Sequence, residues 1–168
     1  GGARRAVSEA QAAQDNIGCL TCEAMLGGMG SEVLAEIGDH PGALALAARA
    51  DHAGDGAFLA ARLMAARARV RVAIEAKDWE TAITTAIDAL PLSEGVGQPY
   101  EHARLLQLLG TAYARRAQAG DTVQAQGLLR DAAALFESMG ARPSLDATLA
   151  ELGQVERAAS QEAPLPSA

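Results

Sequence analysis

Apolar residues recur three or four apart along most of the chain, which is the signature of helices with one buried face. The stretch from Ala57 to Ala76 shows it best, through Leu59, Leu63, Ala66, Val70 and Ala73. The same spacing predicts helices from Trp79 to about Leu90, over about 100–118 and 122–138, and from Pro143 to about Arg157. Ala43, Leu44, Leu46, Ala47 and Ala50 give a shorter face that ends near His52. Residues 16–37 are helical in pattern, but Gly27, Gly28 and Gly30 interrupt them. One kinked helix or two helices both fit, since an interior glycine costs about 1 kcal/mol. Residues 1–15 form a short helical or frayed segment.

The breaks carry turn chemistry. Gly38-Asp39-His40-Pro41-Gly42, Gly54-Asp55-Gly56 and Gly120-Asp121 are turns, and Pro91 to Pro99 is the longest break. Asp39 and Asp78 suit N-caps. Asp121 and Gln124 have capping-box spacing, and Gly140 suits a helix C-terminus. Ala158 to Ala168, with Pro164 and Pro166, is expected to be a disordered tail or linker.

The pattern repeats. A long helix, a Gly-Asp or Lys-Asp turn and a second helix recur, with turn aspartates at Asp39, Asp78 and Asp121, 39 and then 43 residues apart. Small or apolar residues follow each aspartate at +4, +8 and +11: Ala43, Ala47 and Ala50; Ala82, Ala86 and Ala89; Ala125, Leu129 and Ala132. Units of this size bury their apolar faces by stacking on neighbours.

These units resemble tetratricopeptide repeats. Ala82 stands where that family places a small helix-crossing residue, Trp79 three before it, and Ala86 and Ala89 after it. Ala43 and Ala125 match in the flanking units, and Leu109-Gly110 and Tyr113 match the Leu-Gly-x-x-Tyr of a first helix. The second unit departs, with Arg69-Val70 and Ala73 there, and the unit lengths exceed 34. The resemblance implies an all-α fold of antiparallel helix pairs stacked as a right-handed solenoid of about seven helices. Its units are about 16–53, 55–92 and 98–139, with a terminal helix at 143–157. The run from Leu128 to Pro143 is also similar to the C-terminal repeats of large bacterial ATP-dependent regulators of the LuxR, MalT and AfsR type. That likeness implies a sensory or assembly arm of a larger regulator. A chain opening on Gly1-Gly2 without methionine fits an expectation of a segment from a longer protein.

Composition sharpens the fold more than the function. Alanine accounts for 40 residues and aromatics for 3% of the chain, which argues for closely packed helices and against a sheet. The net charge of −7 makes direct nucleic-acid binding an unfavoured role. No run approaches the roughly 18 apolar residues of a membrane helix, and no signal peptide is visible. With two cysteines, the composition reads as cytoplasmic.

Candidate chemistry is sparse. Cys19-Leu20-Thr21-Cys22 fits a redox pair or half a metal site, but small core residues on one helix face are the favoured reading. His40 reads as a solvated or capping residue, and His102 as part of an exposed helix start. No catalytic set, cofactor motif or metal-ligand spacing emerges. Gly27-Gly28-Met29-Gly30 lacks the strand and Lys-Ser/Thr of a phosphate loop and reads as a kink or a close helix approach. Arg62, Arg67, Arg69 and Arg71 make a basic cluster of net +2 between residues 53 and 76. First helices of tetratricopeptide units line the concave groove, so Arg62, Arg69, Arg104 and Arg115 are candidates to face an acidic peptide. Ordinary Arg–carboxylate pairing on a solvated face is the plainer alternative. The expectation is a non-enzymatic module that binds protein or peptide, including other domains of the same polypeptide. A small-molecule sensor, a structural spacer and a redox protein built on Cys19 and Cys22 are the rivals.

Overall fold

The computed structural model describes residues 1–53, 58–95 and 98–162, and the regular elements among them are all α-helices. They are α1 (Gly2–Ile17), α2 (Leu20–Glu36), α3 (His40–Ala53), α4 (Leu59–Glu75), α5 (Trp79–Gly95), α6 (Pro99–Arg116), α7 (Asp121–Ser138) and α8 (Arg142–Glu162). Eight helices stand where about seven were expected, because residues 2–17 form a full helix. Arg49 of α3 holds it by donating to Asp15 at 2.8 Å, and Val7 buries itself against Leu34 and Leu46. The predicted turn at Gly54-Asp55-Gly56, the Val96-Gly97 part of the long break and the tail beyond Glu162 lie outside the described residues. Within them, α8 runs past the predicted end near Arg157.

One turn geometry ends α2, α4 and α7. Gly38, Lys77 and Gly140 take positive φ of 77°, 60° and 68°. The next residue's amide then reaches back to the carbonyl five before it: Asp39 to Leu34 at 2.8 Å, Asp78 to Ala73 at 2.9 Å, Ala141 to Phe136 at 2.9 Å. This is the Schellman arrangement, which satisfies carbonyls that a helix end would leave unpaired. Asp39 and Asp78 then cap the following helices, accepting from the amides of Gly42 and Thr81 at 3.2 Å each.

The third turn differs from the capping box predicted for it. Ala117 takes the left-handed conformation at the end of α6, and Gly120 is the N-cap of α7. Asp121 already lies inside the helix. Its carboxylate accepts two hydrogen bonds from Arg116, at 2.8 and 2.7 Å, and one from the Gln118 amide at 2.9 Å. A forked guanidinium outcompetes a distant amide for the same oxygens. The Arg116 hydrogen bonds hold the Asp121 carboxyl below the usual carboxylate range, against the opposing effect of burial.

The break expected from Pro91 is also displaced. Helix α5 continues through Pro91 to Gly95. Proline removes the amide that would pair with the Ile87 carbonyl, and Ile87 and Pro91 both lie on the exposed side. Leu90 and Leu92, on the other side, pack into the core and carry the helix onward.

Packing follows one rule. Cores are shared by the first helix of a pair, its partner and the first helix of the next pair. Ala24 of α2 meets Ala47 and Ala50 of α3 and Ala61 and Ala65 of α4. Val70 and Ile74 of α4 meet Ala82, Ile83 and Ala86 of α5 and Leu108, Leu109 and Ala112 of α6. Ala103 and Leu106 of α6 meet Ala132 and Phe136 of α7 and Leu145 of α8. Every residue at +4, +8 and +11 from the turn aspartates is buried. The glycines of α2 do not split it, since one helix runs from Leu20 to Glu36. They let helices touch: a Cβ on Gly27 would meet the Ala50 nitrogen at 2.8 Å, and one on Gly28 the Ala61 carbonyl oxygen at 2.8 Å.

Candidate functional site

Helices α2, α4, α6 and α8 pack on one another in that order, α2 on α4, α4 on α6 and α6 on α8. Residues on one side of these helices therefore line one continuous face. On α2 these are Met29, Glu32, Val33 and Glu36, at i, i+3, i+4 and i+7. On α4 they are Met64, Arg67 and Arg71, and on α6 Tyr100, Glu101, Arg104, Gln107, Thr111 and Arg115. Glu151 of α8 closes the row. Two adjoining recesses run along this face and share Arg104.

The first recess is apolar at its rim and charged at its floor. Met29 and Tyr100 are 55% and 43% exposed, and Val33 lies beside them, also exposed. Tyr100 is held from behind by an edge-to-face contact with buried Phe136, ring centres 5.7 Å apart. Below them Arg67, only 4% exposed, donates to both oxygens of Glu32 at 2.7 Å and contacts Glu101 on its other side. This Glu–Arg–Glu bridge ties α2, α4 and α6 together. A buried cation requires such partners, since desolvation alone costs several kcal/mol.

The second recess carries Arg71, Arg104 and Arg115 with Glu75 and Glu151. Glu75 is bonded to His40 at 2.6 Å, and Glu151 accepts from the Thr111 hydroxyl at 2.5 Å. Arg71 reaches Glu36 only at 3.7 Å. Among the described residues no carboxylate lies within 4 Å of Arg104 or Arg115. Arg104 donates weakly to the Gln107 side chain at 3.4 Å.

The four arginines singled out from the sequence fall into two places. Arg104 and Arg115 line the second recess. Arg62 and Arg69 lie on a different surface, between α3, α4 and α5, with Asp51 and Asp88. There Arg69 is paired with Asp51, and among the described residues Arg62 has no carboxylate within 4 Å. The remaining members of the basic cluster face α2: Arg67 is buried and Arg71 is at the edge. Met29, Val33, Met64 and Tyr100, and the Glu32–Arg67–Glu101 bridge, were not picked out from the sequence. The i, i+3, i+4 spacing of Met29, Glu32 and Val33 is the signal that was present. It was masked because α2 is apolar nearly all round.

Two other readings change. Cys19 and Cys22 are not core residues; they form a disulfide at the start of α2, with Cys22 exposed. The α1–α2 break at Gly18 puts Cys19 at the N-cap, which is why the pair leaves the core. His102 is not at an exposed helix start either. Its Nδ1 lies 2.8 Å from the hydroxyl of Ser93, which also donates to the Leu90 carbonyl at 2.6 Å. Ser93 is 1% exposed, so this Ser–His contact fastens the end of α5 to α6 and offers no nucleophile to a substrate.

Among the described residues no helix is long and apolar enough to cross a membrane, and no cluster of His, Cys, Asp or Glu has the makings of a metal site. No protein-family model matches the chain, and no curated protein or solved structure is detectably similar to it.

Proposed function

We propose that this chain is a protein-interaction module whose α2–α4–α6–α8 face grips an acidic, partly apolar segment of a partner protein or of another domain of its own polypeptide. The observation that carries the reading is the pairing on one face of exposed Met29, Val33 and Tyr100 with Arg104 and Arg115, which have no carboxylate partner among the described residues. Exposed apolar clusters mark contact surfaces. Methionine, tyrosine and arginine are the residue types enriched in them. The apolar rim supplies affinity, and the arginines select a carboxylate-bearing segment and speed its encounter.

The packing order supports a tetratricopeptide-like stack of helix pairs. Helices α2, α4, α6 and α8 pack on one another along the row, while α3, α5 and α7 do not pack together among the described residues. In a stack of that kind the closer-packed layer is the inner, concave one. The likeness of the run Leu128–Pro143 to repeats of bacterial ATP-dependent regulators supports reading the module as a non-catalytic part of a cytoplasmic signalling or transcription-regulating protein.

The test is a displayed peptide library selected on the wild-type chain, with Kd then measured by fluorescence anisotropy. Acidic peptides with apolar anchors are expected. Arg104→Glu with Arg115→Glu is expected to weaken them at least about tenfold, a loss of about 1.4 kcal/mol. Arg62→Glu with Arg69→Glu is expected to leave them bound. Equal losses from both pairs, or selection of peptides without acidic residues, overturns the assignment.

A further inference from the structure

The disulfide between Cys19 and Cys22 sits where thiol chemistry is favoured. Cys19 is the N-cap residue of α2, in extended conformation, and Cys22 is the third residue of the helix. The Cα atoms are 5.3 Å apart, a separation that a disulfide spans without backbone movement. The Cys22 amide donates to the Cys19 sulfur at 3.3 Å. That sulfur thus receives an unpaired helix-start amide and faces the positive end of the helix dipole, the two features that stabilise a thiolate. Glu23 is the nearby acid, and its carboxylate is drawn off by Arg49 at 3.2 Å, which also holds Asp15. Cys22 is exposed and Cys19 partly so, which leaves the bond open to attack from solvent.

A structural role explains the bond poorly. A disulfide stabilises by closing a loop in the unfolded chain, and the effect shrinks with the loop. This one closes a single turn that the helix already orders. Its partner residues hold no core together, since neither belongs to a buried cluster.

We propose that Cys19 and Cys22 are a redox-active dithiol–disulfide pair, exchanging with a dithiol reductant by attack on the exposed sulfur of Cys22. A thiolate of the reductant bonds to Cys22 Sγ, the Cys19–Cys22 bond breaks, and Cys19 leaves with the bonding pair as a thiolate. Access selects Cys22 as the point of attack, and the helix start makes Cys19 the better leaving group. The reductant's second thiolate then attacks the reductant sulfur bonded to Cys22, so that Cys22 leaves as a thiolate and the reductant's own disulfide closes. Two electrons and two protons pass to the cysteine pair, and the dithiol is oxidised to a disulfide. In the reverse direction the Cys19 thiolate attacks a mixed disulfide held on Cys22.

The test uses the full chain equilibrated in graded mixtures of reduced and oxidised dithiothreitol, quenched with acid, labelled with a maleimide and read by intact mass. The expected result is two forms, with no label or two labels, exchanging across the series. After reduction, Cys19 in Cys22→Ser is expected to react with iodoacetamide at pH 7 about tenfold faster than Cys22 in Cys19→Ser, reflecting the greater thiolate fraction at the helix start. Cys19→Ser is expected to accumulate a mixed disulfide with oxidised glutathione that the wild type resolves. Two labels throughout the series, no label even in full reductant, or equal alkylation rates in the two folded variants overturns the proposal.

Discussion

Glycine does two opposite things in this chain, and only its surroundings tell them apart. A methyl group on Gly27 would lie 2.8 Å from the Ala50 nitrogen and 2.9 Å from the Leu46 oxygen, both backbone atoms that cannot swing away. Gly127 has nothing within 4 Å of the same position. Gly27→Ala is therefore expected to destabilise the fold by about 1–3 kcal/mol, through forced separation of α2 and α3. Gly127→Ala is expected to stabilise it by about 0.5–1 kcal/mol, because an exposed helix interior favours alanine. Urea midpoints that move in opposite directions check the pair; a shift of the same sign in both contradicts it. Both glycines interrupt similar helical patterns in the sequence. What separates them is a neighbour more than twenty residues away in one case and open solvent in the other.

Helix ends were the best predicted elements where the signal was local. Asp39 and Asp78 cap as their positions suggest, because an N-cap needs only a short acceptor beside three free amides. Asp121 fails the same rule because Arg116, five residues earlier, claims its oxygens. The consequence is a pH dependence. With its folded value depressed by Arg116, Asp121 contributes stability that is complete above the unfolded carboxylate value near pH 4 and is lost as pH falls through the lower folded value. Asp121→Asn is expected to lower Tm by a few degrees at pH 7, and the gap to wild type is expected to close as the pH falls below about 4. Thermal melts across that range check it, and a gap that widens on acidification contradicts it. Pro91 shows the converse. It reads as a stop, but its missing amide falls on the solvent side while Leu90 and Leu92 hold α5 to the core.

Taken whole, the molecule is braced across α2, α4 and α6 by one buried cation. Arg67→Ala removes the fork that Glu32 and Glu101 share and leaves two carboxylates facing each other in a poorly hydrated site. A loss of about 3–5 kcal/mol is expected, seen as a lowered urea midpoint with an unchanged slope. A loss below about 1 kcal/mol would mean that the bridge is no brace. The same packing decides the candidate site. Periodicity, turn residues and the alanines after each turn aspartate were legible in the sequence, because they arise from sterics and hydrogen bonds within a few residues. They suffice for the all-helical class and for most helix positions. Which arginine is buried, which is paired and which is left for a partner depends on side chains brought together from distant segments: Glu32 meets Arg67 across 35 residues, and Asp51 meets Arg69 across 18. Four arginines that look alike along the chain are therefore sorted onto two surfaces by helix packing. Charge is cheap in water and costly when buried, so its meaning belongs to the tertiary structure alone.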